Sequence, residues 1–309
     1  EIYAESQTIP TAVFVAEAVI MNIFFQIRQA LGYTQEELAK EIDVSFATVN
    51  RWENLKTMPS QKAQEKLLNL CNNKGINIVS IFLDKIEEAS NEILKKNPGC
   101  KVLYHGSKSG IVRPIQPKSR DVCDFGSGFY MGTDPKQPLT LICDFEEAKF
   151  YILSVNVEEL KTHVFAPDLD WALFVAFNRR KMDSIVDTPL YNKYKAIGID
   201  KDIIVGSIAN DRMFFVMDSF FNGNITDMAL KESLHALNLG FQYVAKTKDA
   251  CARIKIEKEI SLPWIVRQAF KTVSNENREN GIRYATEVCK KYRRNGFYFD
   301  EILSNSLGV

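Results

Sequence analysis

The sequence lacks a charge excess, paired cysteines and clustered histidines. Its 309 residues contain 39 Lys and Arg against 39 Asp and Glu, which excludes a protein that coats nucleic acid by charge alone. The six cysteines include no CxxC pair and the three histidines are isolated, so zinc-binding spacing is missing and we expect no metal site. Scattered free cysteines are typical of a reducing compartment, so we expect a cytoplasmic protein.

A long hydrophobic run is also missing. The most apolar stretch, residues 12–27, is interrupted by Glu17, Asn22 and Gln26. It falls short of the ~20 apolar residues that a membrane-spanning helix needs, and no basic segment precedes it as in a secretory signal. We therefore expect no membrane partner, and we assign no function to residues 1–20.

The chain does contain enough apolar residues for a large core. Hydrophobic residues make up 46% of the sequence, and at about 150 residues per domain the length predicts two domains. Helical patterns stop at Pro98-Gly99, where we place the main boundary. The predicted parts are an all-α bundle of four to five helices at 21–75, a helical connector at 76–99, an α+β domain at 100–260 and a helical extension at 261–309.

Residues 22–75 have the pattern of four short helices. Thr34 and Glu37 have the spacing of a capping box, Ser45 is expected to cap a third helix, and Pro59 is expected to open a fourth. Two short helices joined by a short turn inside such a bundle form helix-turn-helix geometry. The front domain is therefore predicted to bind DNA.

The string TQEELAKEIDVSFATVNRWENLKTMPS, residues 34–60, closely resembles the Cro/repressor (xenobiotic-response-element, XRE) family of helix-turn-helix domains. The resemblance implies that residues 45–54 form the recognition helix in the major groove, with Val49 and Trp52 in the core. It assigns base-edge contacts to Phe46, Ala47 and Arg51, with Asn50 beside them. It assigns phosphate contacts to Gln35, Ser45, Asn54 and Lys56.

The local charge of this bundle is small. Residues 22–75 carry seven basic and six acidic side chains, so one copy would bind DNA weakly and a homodimer on two half-sites is expected. The alternative is a bundle that only contacts another protein. The connector carries an apolar stripe, which predicts either packing on a neighbouring domain or pairing with its twin in a dimer; the stripe consists of Val79, Phe82, Ile86, Ala89 and Ile93.

After Gly99 the pattern changes to short apolar or alternating segments divided by Gly, Pro, Asp and Asn. The predicted strands are KVLYHGS, GFYMGT, KFYILSVNV, HVFAPD, DIIVGSI and FQYVAKT. Helical patterns fall at about 170–181, 211–221 and 226–237. This combination predicts an α+β domain with a mostly antiparallel sheet.

Three fragments of this domain combine glycine with polar or aromatic residues at predicted strands. They are YHGS at residues 104–107, DFGSGFYMGTD at 124–134 and GFQYV at 240–244. Their order resembles the His-Tyr-Glu branch of the ADP-ribosyltransferase superfamily. Residues 101–305 resemble more closely an uncharacterised bacterial domain often found behind a Cro-type helix-turn-helix, on the motifs DFGxGFYMGTD, QPLTLICDF and ANDRMFFV.

The superfamily resemblance implies NAD+ as substrate. His105 would hydrogen-bond a ribose hydroxyl, with the Gly106 backbone meeting the nicotinamide amide and Tyr130 stacking on the nicotinamide ring. Position 242 would bind the 2′-hydroxyl of the nicotinamide ribose as nicotinamide leaves. The implied catalytic set is thus His105, Tyr130 and Gln242, and the implied NAD+ contacts are His105, Gly106, Ser107, Gly128 and Tyr130.

The chain departs from that branch at Gln242, where the branch has a glutamate. A neutral amide orients a ribose but cannot act as a general base, so chain-building polymerase activity is not expected. Single ADP-ribose transfer, NAD+ hydrolysis and NAD+ binding without turnover stay open. Each residue alone also has a structural interpretation, with His105 bonded at a strand end and Tyr130 in the core.

Two other segments have paired interpretations. Asn210 and Asp211 suit the first turn of a helix, while Asp211 or Arg212 could instead border a ligand pocket. Residues 263–273 and 283–295 are predicted as two helices. The basic run at 290–294 is either a solvated face or a phosphate contact.

Two functions from different classes follow. In the first, the protein is a toxin-like mono-ADP-ribosyltransferase or NAD+ glycohydrolase that modifies an acceptor protein, with the DNA-binding domain autoregulating its operon or choosing the target. A protein antitoxin would be its partner. In the second, it is a transcriptional regulator whose rear domain senses a nucleotide or a protein partner without chemistry.

Overall fold

The structure, a computed structural model, describes residues 22–119, 122–208, 211–236, 240–292 and 295–306. It contains two compact units, the first comprising residues 1–92 and 262–269 and the second residues 93–261 and 270–309. Most of the predicted connector thus belongs to the first unit. Residues 1–20, Asn210, Arg293, Arg294 and the side chains of Asp211 and Arg212 lie outside what is described.

The first unit is helical. Its helices are α1 (Ile23–Leu31), α2 (Gln35–Glu41), α3 (Phe46–Glu53), α4 (Gln61–Lys74) and the greater part of α5 (Ile78–Lys96). Each contributes side chains to a buried core, among them Ile27, Leu38, Val49, Leu67 and Ile86. The apolar stripes predicted from the sequence therefore correspond to the buried faces of these helices.

Side-chain caps set the helix starts. The Glu37 amide donates to Thr34 Oγ1 at 3.2 Å and the Thr34 amide donates to the Glu37 carboxylate at 2.7 Å, which confirms the capping box. Ser45 caps α3 through the Thr48 amide at 3.1 Å. The prediction that Pro59 opens α4 was wrong, because Ser60 is the cap and accepts from the Ala63 amide at 3.3 Å.

A buried ion pair joins α1 to the end of α3. Arg28 Nε donates to Glu53 Oε1 at 2.5 Å and a guanidinium nitrogen donates to Oε2 at 2.9 Å. The side chains are only 10% and 5% exposed, and the hydrogen bond to Glu53 raises the pKa of Arg28. The charge of Arg28 is therefore buried and does not contribute to the exposed positive charge that could contact DNA.

A seven-stranded sheet organises the second unit. The strands are β1 (Lys101–Ser107), β2 (Phe129–Gly132), β3 (Lys149–Val155), β4 (Thr162–Val164), β5 (Ile203–Ser207), β6 (Phe241–Ala245) and β7 (Ile254–Ser261). Their order is β4-β5-β6-β2-β1-β3-β7. Neighbours are antiparallel except β4 and β5, which confirms the mostly antiparallel prediction.

All six predicted strands are present, and β7 was not predicted. Its sequence, IKIEKEIS, alternates Ile with charged residues over much of its length. The strand lies at the edge of the sheet, where charged side chains discourage pairing with another chain. The alternation was therefore a usable signal.

Helices accompany this sheet in the chain, and the longest of them begins in the segment 262–269 that belongs to the first unit. They are α6 (Lys136–Ile142), α7 (Leu169–Asn178), α8 (Pro189–Asp200), α9 (Asp211–Phe221), α10 (Asp227–Ala236), α11 (Lys248–Ala252), α12 (Trp264–Tyr292) and α13 (Phe299–Ser306). The predicted helices correspond to α7, α9 and α10, and those at 263–273 and 283–295 are one helix, α12. The polar stretch between them has no apolar stripe, but no proline interrupts it, so the hydrogen-bonded helix continues.

The two faces of the sheet have separate cores. One contains Phe125, Trp171 and Phe174 together with Ile204 and Val244 from the strands. The other contains Leu103, Phe129, Met131, Tyr151 and Leu153. Because side chains alternate along a strand, each strand residue belongs to one face only.

We expect Glu53→Gln to destabilise the first unit by roughly 3–5 kcal/mol, since Arg28 would keep a buried, uncompensated charge. Hydrogen exchange of the full chain would show faster exchange in peptides from α1–α4 and unchanged exchange in β1 and β3. Glu88→Gln is the matched control, because Glu88 pairs with Lys85 on the surface and should cost less than about 1 kcal/mol. Equal effects of both substitutions would contradict the role of the ion pair.

Candidate DNA-binding surface and ligand cavity

The side chains of α3 divide into a buried and an exposed set. Val49 and Trp52 are buried at 0% and 5% exposure, as the sequence predicts. Phe46 is 46% exposed, and Ala47 and Arg51 are also exposed. An exposed phenyl ring and guanidinium on one short helix suit contacts to a thymine methyl and to a guanine edge.

The residues predicted to hold phosphates lie in two environments. Ser45, Asn54 and Lys56 are exposed, whereas Gln35 is half-buried. Gln35 Nε2 donates to Glu53 Oε2 at 2.6 Å. In this structure Gln35 therefore binds protein groups and positions α2 against α3.

Asn50 continues this network toward the exposed side of α3. Its Nδ2 donates to Gln35 Oε1 at 3.2 Å, and Asn54 Nδ2 donates to the Asn50 carbonyl at 2.8 Å. The buried pair of Arg28 and Glu53 is thus connected to the helix that presents Arg51. Sequence reasoning missed this connection, because Arg28 and Glu53 are far apart in the chain and neither belongs to a predicted contact.

A cavity of about 560 Å³ lies in the second unit. Five of the predicted site residues line it, namely His105, Gly106, Gly128, Tyr130 and Gln242. The charged residues in its described lining are Lys118, Asp124 and Arg179. Ser107 does not line it, and its hydroxyl instead donates to the Gly110 carbonyl at 2.7 Å.

Strand register sets which side chains face this cavity. Gly132 of β2 and Gly206 of β5 both pair with Gln242 of β6, and Tyr130 pairs with Val244 two residues along. Tyr130 and Gln242 therefore share one face of the sheet.

The His105 side chain belongs to the opposite face. His105 pairs with Tyr151 on β3, and its ring stacks on Phe129 with centroids 4.5 Å apart. Its Nδ1 donates to the Tyr130 carbonyl at 2.7 Å, and burial lowers its pKa. The resemblance implies one ligand between the His105 and Tyr130 side chains, whereas the strand alternation separates them.

Gly106 faces the cavity side, but α6 packs directly against it. A Cβ placed on Gly106 would lie 2.8 Å from the Pro138 carbonyl oxygen and 2.9 Å from Ile142. The glycine is therefore explained by close packing of a helix on the strand. The nicotinamide contact implied for its backbone stays a prediction.

The Tyr130 hydroxyl holds the loop that follows Val122. It accepts from the Phe125 amide at 2.9 Å and donates to the Gly126 carbonyl at 2.7 Å. Burial raises its pKa, so it remains a protonated donor. Tyr130 thus borders the cavity with its ring and anchors one wall of it with its hydroxyl.

Two cations hold the same loop. Lys246 Nζ donates to the Phe125 carbonyl at 2.5 Å, and burial lowers the pKa of Lys246 to about 8. Arg179 Nε donates to Asp124 Oδ1 at 2.9 Å, with both side chains largely buried. The loop is therefore anchored at three successive residues, and sequence reasoning had assigned none of these anchors.

Comparison with known families gives two matches. Residues 101–256, about half of the 309-residue chain, match the model of a family described as "Protein of unknown function (DUF3990)". Residues 25–76 match a family described as "Helix-turn-helix". Comparison with curated proteins and with solved structures gives no match. None of the helices in the described part of the chain is long and apolar enough to cross a membrane.

The lowered pKa of Lys246 predicts a pH-dependent stability. Between pH 8 and its ordinary value of 10.5, the unfolded chain keeps a proton that the folded chain has lost. The free energy of unfolding therefore rises across this window, and the burial of charged Lys246 is most costly below pH 8.

We expect the free energy of unfolding of Lys246→Met, measured relative to that of the parent, to fall by roughly 1–3 kcal/mol between pH 7 and pH 10.5. The variant is therefore most stable relative to the parent at pH 7. Urea unfolding followed by circular dichroism would measure it. Lys248→Met, at a neighbouring exposed lysine, should show no such change. A difference that is constant with pH would rule out a buried amine at 246.

Proposed function

We propose that this chain, which belongs to the family described as "Protein of unknown function (DUF3990)", is a sequence-specific DNA-binding regulator whose second unit binds NAD+. The helix-turn-helix match supports DNA binding. The observation that carries the proposal is the division of α3 into buried Val49 and Trp52 and exposed Phe46, Ala47 and Arg51.

DNA recognition would depend on the side chains that α3 presents, and not on the overall charge of the bundle. Arg51 donates two hydrogen bonds to a guanine edge, Phe46 contacts a thymine methyl, and Lys56 meets a phosphate. Arg28 and Glu53 pair inside the unit and cancel each other's charge, so the excess of positive charge stays as small as the composition indicates. A homodimer on two half-sites is therefore part of the proposal.

NAD+ binding is supported by the cavity. Its volume of about 560 Å³ lies within the usual range of about 300–1,000 Å³ for small-molecule sites. Gln242 supplies a polar group at a glycine-flanked position, Tyr130 supplies an aromatic ring, and Lys118 supplies a cation for a phosphate. Among the described residues that line the cavity, the carboxylate of Asp124 is paired with Arg179, which supports binding without turnover.

A second candidate function is toxin-like cleavage of NAD+ with single ADP-ribose transfer to an acceptor protein. Tyr130 and Gln242 on one face of the sheet favour it, because a ring and an amide there could hold a nicotinamide ribose as nicotinamide leaves. A protein antitoxin would then be a partner. The two candidates differ in whether NAD+ is consumed.

For DNA binding, selection from random duplexes should yield a preferred sequence. Arg51→Ala should then cost about 1–3 kcal/mol and relax the preference at one base pair, while Lys56→Ala should weaken all duplexes alike and reduce the salt slope by about 1. Lys85→Ala on α5 is the control and should bind as the parent does. If the parent selects no sequence, or if Arg51→Ala weakens every duplex equally, specific recognition by α3 is wrong.

For the second unit, NAD+ should raise the midpoint of thermal unfolding without nicotinamide release. Gly132→Val should abolish this shift, because a side chain there enters the cavity beside Gln242 and meets its nearest neighbour, Ile208, at about 3.4 Å. Gly198→Val on α8, where nothing lies within 4 Å of a Cβ, is the control. Nicotinamide release with cell extract and DNA present, lost in Tyr130→Ala, would instead select the enzyme.

A further inference from the structure

Gln242 is a buried polar side chain between two glycines. It is 8% exposed and lines the cavity, with Gly132 beside it on β2 and Gly206 beside it on β5. A Cβ at Gly206 would lie 2.6 Å from the Phe125 ring and 2.9 Å from the Trp171 indole. Neither strand neighbour can therefore supply a side-chain partner for the amide.

The partner of Gln242 is a main-chain carbonyl. Its Nε2 donates to the carbonyl oxygen of Ser207 at 3.1 Å, and Ser207 is 2% exposed. A carbonyl oxygen only accepts hydrogen bonds, so this contact determines which end of the amide is the nitrogen. The other end, Oε1, has no hydrogen-bond partner among the described residues.

We propose that the Ser207 carbonyl is a positioning group, whose hydrogen bond with Nε2 holds the Gln242 side chain with its oxygen Oε1 available to the cavity. We call this hydrogen bond the lock. Position 242 therefore requires an amide and is not equivalent to a glutamate. The locked side chain offers a ligand its oxygen Oε1 as an acceptor, while one of the two Nε2 hydrogens is donated to the Ser207 carbonyl. A hydroxyl or N–H group of a ligand suits this oxygen. That NAD+ provides this donor rests on the proposed function, whereas the lock is a property of the protein alone.

A glutamate at position 242 would meet the Ser207 carbonyl with an oxygen instead of a donor. Two acceptors at that distance repel each other, unless the carboxyl is protonated and donates in place of Nε2. The folded state would therefore hold the introduced carboxyl group in its neutral form, and its pKa would lie above the usual value of a carboxyl group.

Other ionisable groups surround this position. Lys118 and the pair of Asp124 and Arg179 line the same cavity. Among the described residues, the other titratable ones in the lining are Tyr104, His105, Cys123 and Tyr130. Since the parent contains all of them, a comparison with the parent at each pH isolates position 242.

The test is thermal unfolding of the full chain at pH 5 and pH 8, followed by circular dichroism. A raised folded pKa means that the variant loses stability as pH rises through the usual carboxyl range toward that value. We expect Gln242→Glu to unfold within a few degrees of the parent at pH 5 and roughly 5–10 °C below it at pH 8.

Two further variants separate the lock from a packing effect. Gln137→Glu makes the same chemical change at a half-buried residue of the same cavity and should show no comparable loss at pH 8. Gln242→Met keeps the length but offers no donor, so it should lower the midpoint by a similar amount at both pH values. If Gln242→Glu unfolds at the same midpoint as the parent at pH 8, or if its midpoint is lowered equally at both pH values, the proposed lock is contradicted.

The ligand is tested separately with NAD+ itself. If NAD+ raises the unfolding midpoint of the parent, Gln242→Met should lose that shift because it removes the acceptor oxygen, and a retained shift would overturn the acceptor role. If NAD+ leaves the parent unchanged, the proposed NAD+ function fails, while the pH comparison of the variants still decides the lock.

Discussion

The two-residue period of the β-strands is the constraint on which the cavity depends. Because β2 and β6 pair with Gly132 opposite Gln242, the Tyr130 ring and the Gln242 amide must lie on one face of the sheet. The same period places His105 of β1 with Tyr151 on the other face. A shift of one residue in the pairing of β2 with β6 would place Tyr130 and Gln242 on opposite faces of the sheet, so one of them would no longer line the cavity.

The front unit depends on a different constraint, which is the cost of burying charge. Arg28 and Glu53 are tolerated inside the bundle because each satisfies the other and because the Gln35 amide also donates to the carboxylate. Gln35 and Asn50 extend the bonds from the carboxylate to the exposed side of α3. Their amides thus have a structural role in the free protein, and a contact of Gln35 to a phosphate would have to be added to that role or replace it.

Much of the fold could be predicted from local patterns, and much of the site could not. Capping at Thr34 and Ser45 and the buried faces of α1–α4 follow from spacing within a few residues, so the sequence contains them directly. Strand β7 was missed because its charges obscured its alternation, and α12 because a polar stretch looked like a break. The cavity residues were found together through motif order, but the side of the sheet on which His105 lies depends on pairing between distant strands.

The anchors of the cavity wall illustrate why such contacts escape sequence reasoning. The residues that anchor this wall come from three distant parts of the chain and converge on residues 124–126. They are Tyr130 on β2, Arg179 directly after α7 and Lys246 directly after β6. Tyr130 had been interpreted as either a ligand contact or a core residue, yet its ring borders the cavity while its hydroxyl is committed to the loop. Asp124 is paired with Arg179 and Gln242 is hydrogen-bonded to Ser207, so these described lining groups are fixed in position. Fixed hydrogen-bonding groups are suited to holding a ligand in one orientation, and the proposed binding of a nucleotide depends on this property.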